Sequence, residues 1–192
     1  MAELWLIRHG ETAWSVSGAH TGTTDIPLTP AGEAQAAGIR TMLSDRKFAL
    51  VLSSPLQRAR KTCELAGFGD VMQIEPCLTE WNYGRYEGLT TVEIRKENPG
   101  WSPFTDGFPG GESLEQVYSR ARAVINRAVA SDRVVASNGD VALFAHGHIL
   151  RILTACWLGL PADAARLFAL NPAGISTLGY ERETRVILHW NR

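Results

Sequence analysis

The feature of this sequence that most constrains its fold is that short apolar runs are followed by helix-forming segments. Residues 4–7 predict a buried strand, and the helical segment that follows opens with Thr29 and Pro30, a pair typical of a helix start. Residues 48–54 predict a second buried strand, and residues 55–67 predict the helix that follows it. Strands and helices therefore alternate along the first third of the chain.

Two serine–glutamine pairs predict capping boxes, in which the side chains of the first and fourth residues bond to each other's backbone N–H groups. Ser54 and Gln57 form one such pair at the start of the second helix. Ser113 and Gln116 form the other, and they open the clearest amphipathic helix of the chain. Its apolar residues recur at helical spacing and predict one buried face: Leu114, Val117, Tyr118, Ala121, Val124, Ile125 and Ala128.

The rest of the chain continues the alternation. Residues 71–75 predict a weak strand, residues 141–145 a strand followed by a helix, and residues 174–181 and 185–190 two closing strands. The segment 98–111 is too rich in proline and glycine for a regular element, and it is either a lid or an ordinary surface loop. The alternation predicts an α/β three-layer sandwich with a largely parallel central sheet flanked by helices.

Composition limits the possible functions. A chain of 192 residues that is 45% hydrophobic can bury one sizeable core, so residues 1–192 are predicted to form a single domain. The net charge of −1 gives no overall field for nucleic acid or an anionic membrane, and neither a membrane span nor a secretion signal is recognisable. Cys63, Cys77 and Cys156 are scattered without a paired pattern, which predicts reduced thiols and a cytoplasmic location.

Three predicted strands end in polar residues. These ends are Arg8-His9-Gly10, Ser53-Ser54 leading to Arg58, and His146-Gly147-His148. Ligands of such sheets bind beyond the carboxyl ends of the strands, so we expect these ends to converge. Two guanidinium groups and two imidazoles fit a tetrahedral anion, and a helix that begins near Ser54 would add free N–H groups. The expected ligand is a phosphate group.

Five segments carry a resemblance to a known family. LIRHGETAW, SSPLQRARKT, EWNYGRYEG, GGES and FAHGHILR occur here in the order found in the histidine phosphatase superfamily, whose members are similar to phosphoglycerate mutase. The resemblance extends from about residue 4 to residue 152. It implies a phosphohistidine mechanism in which His9 is the nucleophile, Arg8, Arg58 and His146 hold the phosphoryl group, and Glu80 is the proton donor.

The physical chemistry of these residues agrees with the implied roles. Nearby arginines disfavour the imidazolium form of a histidine, so the cluster that binds an anion would also keep His9 nucleophilic. The charge of the transferred group would be stabilised by Arg8, Arg58 and a protonated or hydrogen-bonding His146, so no metal or other cofactor is expected. Partial burial beside two aromatic residues would favour the acid form of Glu80.

The outer part of the site is predicted from one branch of the family. Many members carry Asn where this chain has Ser15, whose hydroxyl can still donate to phosphate. The segments HTG and WNYGRYEG look most like the branch that includes sedoheptulose-bisphosphatase-like proteins and acid phosphatases. The predicted substrate-binding residues are Ser15, His20, Thr21, Gly22, Tyr83, Arg85 and Gly147.

The sequence therefore predicts a metal-independent phosphatase that acts on a small phosphorylated metabolite such as a sugar phosphate, with the oligomeric state left open. A phosphoglycerate mutase is the alternative, although the family's mutases carry longer insertions after the segment that bears the glutamate. A non-catalytic phosphate-ligand binding module would need neither His9 nor Glu80. A zinc hydrolase built on His146 and His148 would lack further ligands at recognisable spacing.

Overall fold

The computed structural model describes residues 2–192 and is built around one six-stranded mixed sheet. The strands are β1 (Leu4–Arg8), β2 (Phe48–Ser53), β3 (Met72–Ile74), β4 (Asp140–Ala145), β5 (Ile175–Glu181) and β6 (Thr184–His189). Their spatial order is β3-β2-β4-β1-β5-β6. The first four strands of this order are parallel, and β5 and β6 are antiparallel to their neighbours. The predicted α/β fold with a largely parallel sheet is confirmed.

Eight α-helices lie between and beside the strands in the part of the chain that the structure describes. They are α1 (Ala13–Ser17), α2 (Pro30–Met42), α3 (Gln57–Leu65), α4 (Thr91–Glu97), α5 (Pro103–Asp106), α6 (Leu114–Ala130), α7 (Asp132–Ser137) and α8 (Gly147–Trp157). Short 3₁₀ turns cover Gly69–Val71, Pro76–Leu78, Gly84–Tyr86 and Ala162–Leu167. Within residues 2–192 no helix has the length and apolarity needed to cross a membrane.

Side chains of β1 show how the sheet separates two layers of helices. Successive residues of a strand point to opposite faces, and Leu4 and Leu6 accordingly belong to the core beneath α6 and α8. Trp5 and Ile7 point the other way, into a smaller core that contains Ile39 of α2 together with residues of α3. The sheet is therefore covered on both faces, as a three-layer sandwich requires.

The predicted helix starts have different outcomes. The Thr29 hydroxyl caps α2 by accepting the N–H of Gly32 at 3.0 Å, and Ser113 and Gln116 form the predicted capping box of α6. The prediction of a capping box from Ser54 and Gln57 is wrong, because α3 begins only at Gln57. The Ser54 hydroxyl instead bonds to the ring of His146 at 2.8 Å. A contact across 92 positions of sequence has displaced the local one.

The segment 98–111 also differs from its prediction. It contains the one-turn helix α5, so the expectation that it holds no regular element is wrong. Trp101, Phe104 and Phe108 are buried in the larger core, with exposed fractions of 1%, 7% and 7%. These three aromatic side chains anchor the segment, since apolar burial of this extent stabilises a loop that is otherwise rich in proline and glycine.

The carboxyl ends of β1, β2 and β4 lie side by side. In the strand register Arg8 is opposite Ala145, and Ser53 is opposite Phe144. The residues that follow these strands are joined by the same ladder, because the His9 N–H donates to Ala145 O at 3.0 Å. The three strand ends predicted to converge therefore lie at one edge of the sheet.

Candidate active site

His9 lies directly after β1 and is 4% exposed. Its Nδ1 is 2.7 Å from the carbonyl oxygen of Gly10. A carbonyl can only accept, so Nδ1 carries the proton and Nε2 of the neutral ring has a free lone pair. Burial holds the pKa of His9 well below its ordinary value, and the charges of Arg8 and Arg58 lower it further. His9 is therefore held in the tautomer and charge state of a nitrogen nucleophile.

Gly10 owes its place to a close contact with another glycine. A Cβ on Gly10 would lie 2.3 Å from the carbonyl oxygen of Gly32 in α2, and a Cβ on Gly32 would lie 2.1 Å from the carbonyl oxygen of Glu11. Only glycine lets the two backbones approach so closely. The Gly10 N–H also donates to the Thr62 hydroxyl at 3.1 Å. Gly10, whose carbonyl accepts the hydrogen bond from His9 Nδ1, is thus held by Gly32 and by Thr62.

A cavity of about 180 Å³ opens beside His9. Eight residues predicted as catalytic or substrate-binding line it: Arg8, His9, Ser15, His20, Thr21, Glu80, Tyr83 and Gly147. Further lining comes from residues that the sequence analysis did not select, including Thr12, Trp14, His148, Arg151 and Leu170. Residues from the ends of β1 and β4, the loop after α1 and the segment after Pro76–Leu78 therefore meet in one place.

Arg8 supplies a buried cation to this cavity. Its Nη1 donates to the carbonyl of Leu170, whereas its buried Nε has no hydrogen-bond partner within residues 2–192. Burial lowers the pKa of Arg8, while the charge of Glu80 raises it. An unpaired buried guanidinium N–H is costly unless an anion accepts from it, so its chemistry fits an oxyanion ligand.

Arg58 and His146 lie behind His9, and neither is among the residues that line the cavity. Arg58 Nε donates to His146 Nδ1 at 3.1 Å, so His146 Nε2 carries the ring proton and donates to Ser54 at 2.8 Å. Burial, followed by the charges of Arg58, His9 and Arg8, holds the pKa of His146 well below its usual value. The structure thus favours the neutral, hydrogen-bonding form of His146, whose ring centroid is 5.1 Å from that of His9.

Glu80 faces the start of α8 and is 4% exposed. Its Oε1 accepts the N–H groups of Trp81 and Ile149, and its Oε2 accepts the N–H of His148, each at 2.9 Å. The carboxylate therefore caps the first turn of α8, where the helix dipole favours negative charge. Oε2 accepts one of these three bonds, which leaves it room for a further partner in the cavity.

The helix near Ser54 was expected to offer free N–H groups to the anion, and this expectation is wrong for the N–H groups of Leu56 and Gln57. The Gln57 N–H donates to the carboxylate of Asp25 at 2.8 Å, and the Leu56 N–H donates to Ser54 at 3.3 Å. These two N–H groups at the start of α3 are used within the protein. Arg58 lies on the first turn of α3, and its charge acts on His9, so α3 contributes to the site through this side chain.

Two predicted substrate contacts lie outside the cavity lining. Arg85 is exposed, and Gly22 is buried with its carbonyl oxygen 2.8 Å from Arg58 Nη2. Two residues of α8 line the cavity without having been selected. His148 was visible in the HGH motif, and Arg151 follows it at helical spacing, so the 3.6-residue period could have identified Arg151.

His148 and Arg151 have aromatic neighbours. The ring of His148 contacts the hydroxyl of Tyr83, and burial holds the pKa of His148 well below its ordinary value. Arg151 Nε donates to Ala165 O at 3.1 Å, and its guanidinium lies 5.0 Å from the ring centroid of Phe104.

In the chain from residue 2 onward, no three His, Cys, Asp or Glu side chains are grouped to hold a metal ion.

Comparison with known proteins gives concordant matches. The family model of the histidine phosphatase superfamily (branch 1) matches residues 4–192. An acid phosphatase of Mycobacterium tuberculosis (strain ATCC 25618 / H37Rv) is 40% identical over 184 residues, which span 95% of this chain and 88% of the relative. The sedoheptulose 1,7-bisphosphatase of Saccharomyces cerevisiae is 37% identical over 184 residues, which span 81% of this chain and 67% of the relative.

A solved structure shows the same fold. The product of an open reading frame of Mycobacterium tuberculosis superposes with a TM-score of 0.92 and 38% sequence identity. The match covers 99% of this chain and 97% of the solved one. The order of strands and the position of the cavity at their carboxyl ends are thus set within a fold already seen in a relative.

Proposed function

Because the chain belongs to the histidine phosphatase superfamily, we propose that it is a phosphoric monoester hydrolase that cleaves a small phosphorylated metabolite through a phosphohistidine on His9. The observation that carries this proposal is the bond between His9 Nδ1 and Gly10 O, which leaves the lone pair on Nε2. Arg8 and Glu80 line the same cavity as His9. A nucleophile, a cation and an acid–base group are therefore within one site.

The first step transfers the phosphoryl group to the enzyme. His9 Nε2 attacks phosphorus, a P–N bond forms, and the bond from phosphorus to the ester oxygen breaks. Arg8 stabilises the charge on the non-bridging oxygens. In this proposal the negative charge of the bound phosphate offsets the three N–H bonds to Glu80 and lets its Oε2, which accepts only one of them, hold a proton. Glu80 gives that proton to the leaving oxygen, which departs as a neutral alcohol.

The second step returns the enzyme to its starting state. The Glu80 carboxylate takes a proton from a water molecule, whose oxygen attacks phosphorus as the P–N bond breaks. Inorganic phosphate leaves, and His9 Nε2 regains its lone pair. Glu80 regains the proton that it gave in the first step, so the cycle balances.

Arg58 and His146 support the same phosphoryl group from behind His9. Four of the five N–H donors of Arg58 are accounted for by His146 Nδ1 and by three backbone carbonyls, those of Thr21, Gly22 and Thr24. In this proposal the remaining N–H of Arg58 serves the phosphoryl group. His146, held neutral by its two hydrogen bonds, fixes the orientation of Arg58.

The substrate proposed for this cavity carries a second negative charge. Within residues 2–192, the terminal nitrogens of Arg151 have no carboxylate or carbonyl partner, and the side chain lines the cavity. Arg151 lies on α8, whereas Arg8 ends β1 directly before His9, so the two cations enter the cavity from different elements. A sugar phosphate with a second phosphate or a carboxylate at its far end fits this arrangement. Ser15, His20, Thr21 and Tyr83 are the proposed neutral contacts between the two ends.

Residues 1–192 are proposed to act as one domain in the cytoplasm. One sheet passes through the described chain, and the family model covers residues 4–192. Cys63, Cys77 and Cys156 are free thiols, as reducing conditions favour.

The test is phosphate release from a panel of sugar phosphates, phosphorylated acids and 4-nitrophenyl phosphate after dialysis against EDTA. We expect hydrolysis to persist without added metal. Activity that disappears with EDTA and returns with zinc would contradict the metal-independent mechanism. The absence of turnover on every phosphoester would support a binding module instead.

A mutase is distinguished by its product. The protein is incubated with 3-phosphoglycerate, with and without a bisphosphoglycerate primer, and isomers and free phosphate are both quantified. We expect any turnover to release phosphate. Rapid exchange of isomers with little free phosphate would replace the phosphatase by a mutase.

A further inference from the structure

Glu87 holds the loop that follows α1 although it does not line the cavity. Its carboxylate accepts the N–H groups of Gly22, Thr23 and Thr24 at 3.2, 2.8 and 3.3 Å. It also accepts the Thr24 hydroxyl at 2.7 Å. One side chain therefore binds three consecutive backbone N–H groups and a hydroxyl of residues 22–24, which are 63 to 65 positions away in sequence.

The carbonyl groups of the same loop bind Arg58. Arg58 Nη2 donates to Gly22 O at 2.8 Å and to Thr21 O at 3.3 Å, and Nη1 donates to Thr24 O at 2.9 Å. Arg58 is fully buried, so these carbonyls replace water around its guanidinium. The loop thus has Glu87 on its N–H side and Arg58 on its carbonyl side.

Two planar peptide units connect the two charged groups. The Thr23 N–H and the Gly22 carbonyl belong to one trans peptide and point in opposite directions, and so do the Gly22 N–H and the Thr21 carbonyl. When Glu87 fixes these N–H groups, it fixes the direction of the two carbonyls that Arg58 Nη2 binds. The position of the Arg58 guanidinium follows from the position of the Glu87 carboxylate.

Gly22 is glycine because of this arrangement. A Cβ at this position would lie 2.0 Å from Glu87 Oε1 and 2.5 Å from the carbonyl oxygen of Trp81. Neither distance allows a side chain. The glycine of the HTG motif, predicted to contact substrate, instead joins Glu87 to Arg58 through its own N–H and carbonyl groups.

We propose that Glu87 is a positioning residue for phosphoryl transfer, which acts by holding the loop over residues 21–24 so that Arg58 faces the phosphoryl group. This inference rests on the proposed phosphatase function. Glu87 itself touches neither the substrate nor His9. Its effect is therefore expected on the binding of a phosphoryl-like anion, and only while Arg58 is present.

The test measures the affinity of orthovanadate, used as a phosphoryl mimic, by inhibition of 4-nitrophenyl phosphate hydrolysis and by direct titration. In Glu87→Gln one carboxylate oxygen becomes an NH₂ group that faces a backbone N–H, so the loop loses its anchor. We expect the affinity for orthovanadate to fall about tenfold, within the range found for coupled neighbours. Thr24→Val removes only the hydroxyl contact and is expected to lower the affinity about two- to threefold.

A double-mutant cycle separates positioning from a general loss of stability. Glu87→Gln is measured again by direct titration in an Arg58→Met background, where we expect it to change orthovanadate affinity less than about twofold. Glu75→Gln is the matched control, because Glu75 is a buried glutamate that accepts a backbone N–H and an arginine away from the cavity. It is expected to lower the melting temperature without changing orthovanadate affinity.

The outcomes separate this inference from the function on which it rests. A wild type that neither hydrolyses phosphoesters nor binds orthovanadate overturns the proposed function, and this inference with it. If the wild type does both, equal losses from Glu87→Gln with and without Arg58 overturn the positioning role alone. Unchanged affinity in both Glu87→Gln and Thr24→Val overturns it as well, and Thr24→Val decides the matter if Glu87→Gln fails to fold.

Discussion

The Nδ1–H of His9 donates to the carbonyl oxygen of Gly10, the next residue in the chain, at 2.7 Å. The bond selects the tautomer in which Nε2 keeps the lone pair that the proposed attack on phosphorus requires. It depends on the position of Gly10, which Gly32 fixes through close backbone contact and Thr62 fixes by accepting the Gly10 N–H. The RHG triplet therefore combines a cation, the proposed nucleophile and the acceptor that orients it.

Replacing His9 by alanine is expected to abolish turnover and to leave the protein folded, because the residue follows β1 and its loss removes the only proposed nucleophile. Brief incubation of the wild type with substrate should yield an acid-labile phosphoryl adduct on His9 Nε2, measured by mass spectrometry and phosphorus NMR. His189→Ala is the matched control, since His189 is exposed on β6, and it should keep both activity and adduct. An adduct on another residue would contradict the mechanism.

The stability of the protein is expected to fall as the pH drops below 6.5. Burial holds the pKa values of His9, His146 and His148 well below the ordinary 6.5, and neighbouring positive charges lower them further. Between 6.5 and these folded-state values, the unfolded chain binds protons that the folded chain does not. The free energy of unfolding should therefore be constant with respect to these groups above pH 6.5 and decrease below it.

Below pH 6.5, each of the three histidines can lower the free energy of unfolding by up to about 1.4 kcal/mol for every unit by which the pH falls. Urea denaturation at pH 7.5, 6.5 and 5.5 measures the slope. His189→Ala should leave it unchanged, because this side chain is exposed. A free energy of unfolding that is independent of pH over this range would show that folding does not lower the pKa values of these three rings.

Local chemistry explains which parts of the fold were predictable. Thr29 and Ser113 cap helices because their partners lie three residues away. The Thr29 hydroxyl also donates to Glu11 Oε1 at 2.7 Å, but its oxygen is still free to accept the Gly32 N–H. Ser54 has the same pattern, but its hydroxyl is used by His146, which is distant in sequence. At Ser54 a tertiary partner has replaced the local cap, and a sequence pattern within four residues cannot show this.

The site was predictable where it depends on strand ends. His9 and His146 are brought together because β1 and β4 are adjacent parallel strands. Strand–helix alternation implies the parallel sheet and the convergence of its strand ends, although not which strands are neighbours. The engagement of Arg58 by backbone carbonyls was not predictable, since it depends on the path of a loop. Glu87 was hidden for the same reason, because its partners are backbone N–H groups that have no signature in sequence.

The role of Glu80 is tested by changing the leaving group. Glu80→Gln removes the proposed proton donor, and a sugar alkoxide needs that proton far more than a nitrophenolate does. We expect the rate of alcohol release in a single turnover to fall roughly 10²–10⁴-fold on a sugar phosphate and much less on 4-nitrophenyl phosphate. Single-turnover rates are needed because Glu80 is also proposed to activate water in the second step.

Glu115→Gln, on the exposed side of α6, is the control for this comparison and should leave both rates unchanged. Equal losses from Glu80→Gln on the two substrates would show that Glu80 does not protonate the leaving group. The three N–H bonds to its carboxylate would then describe a helix cap rather than an acid–base group.

Arg151 tests whether the substrate carries a second negative charge. Arg151→Gln keeps most of the side-chain length and removes the charge, and a hydrogen bond to a charged group contributes about 1.5–3 kcal/mol. We therefore expect kcat/KM to fall roughly 10- to 150-fold for a hexose bisphosphate. For the matching hexose monophosphate and for 4-nitrophenyl phosphate, kcat/KM should change little, because neither places an anion at the far end of the cavity.

Arg122→Gln, on the surface of α6, is the control and should leave kcat/KM unchanged for all three substrates. A uniform loss on all three substrates with Arg151→Gln would mean that Arg151 supports the cavity wall beside Phe104 and does not bind a second anionic group.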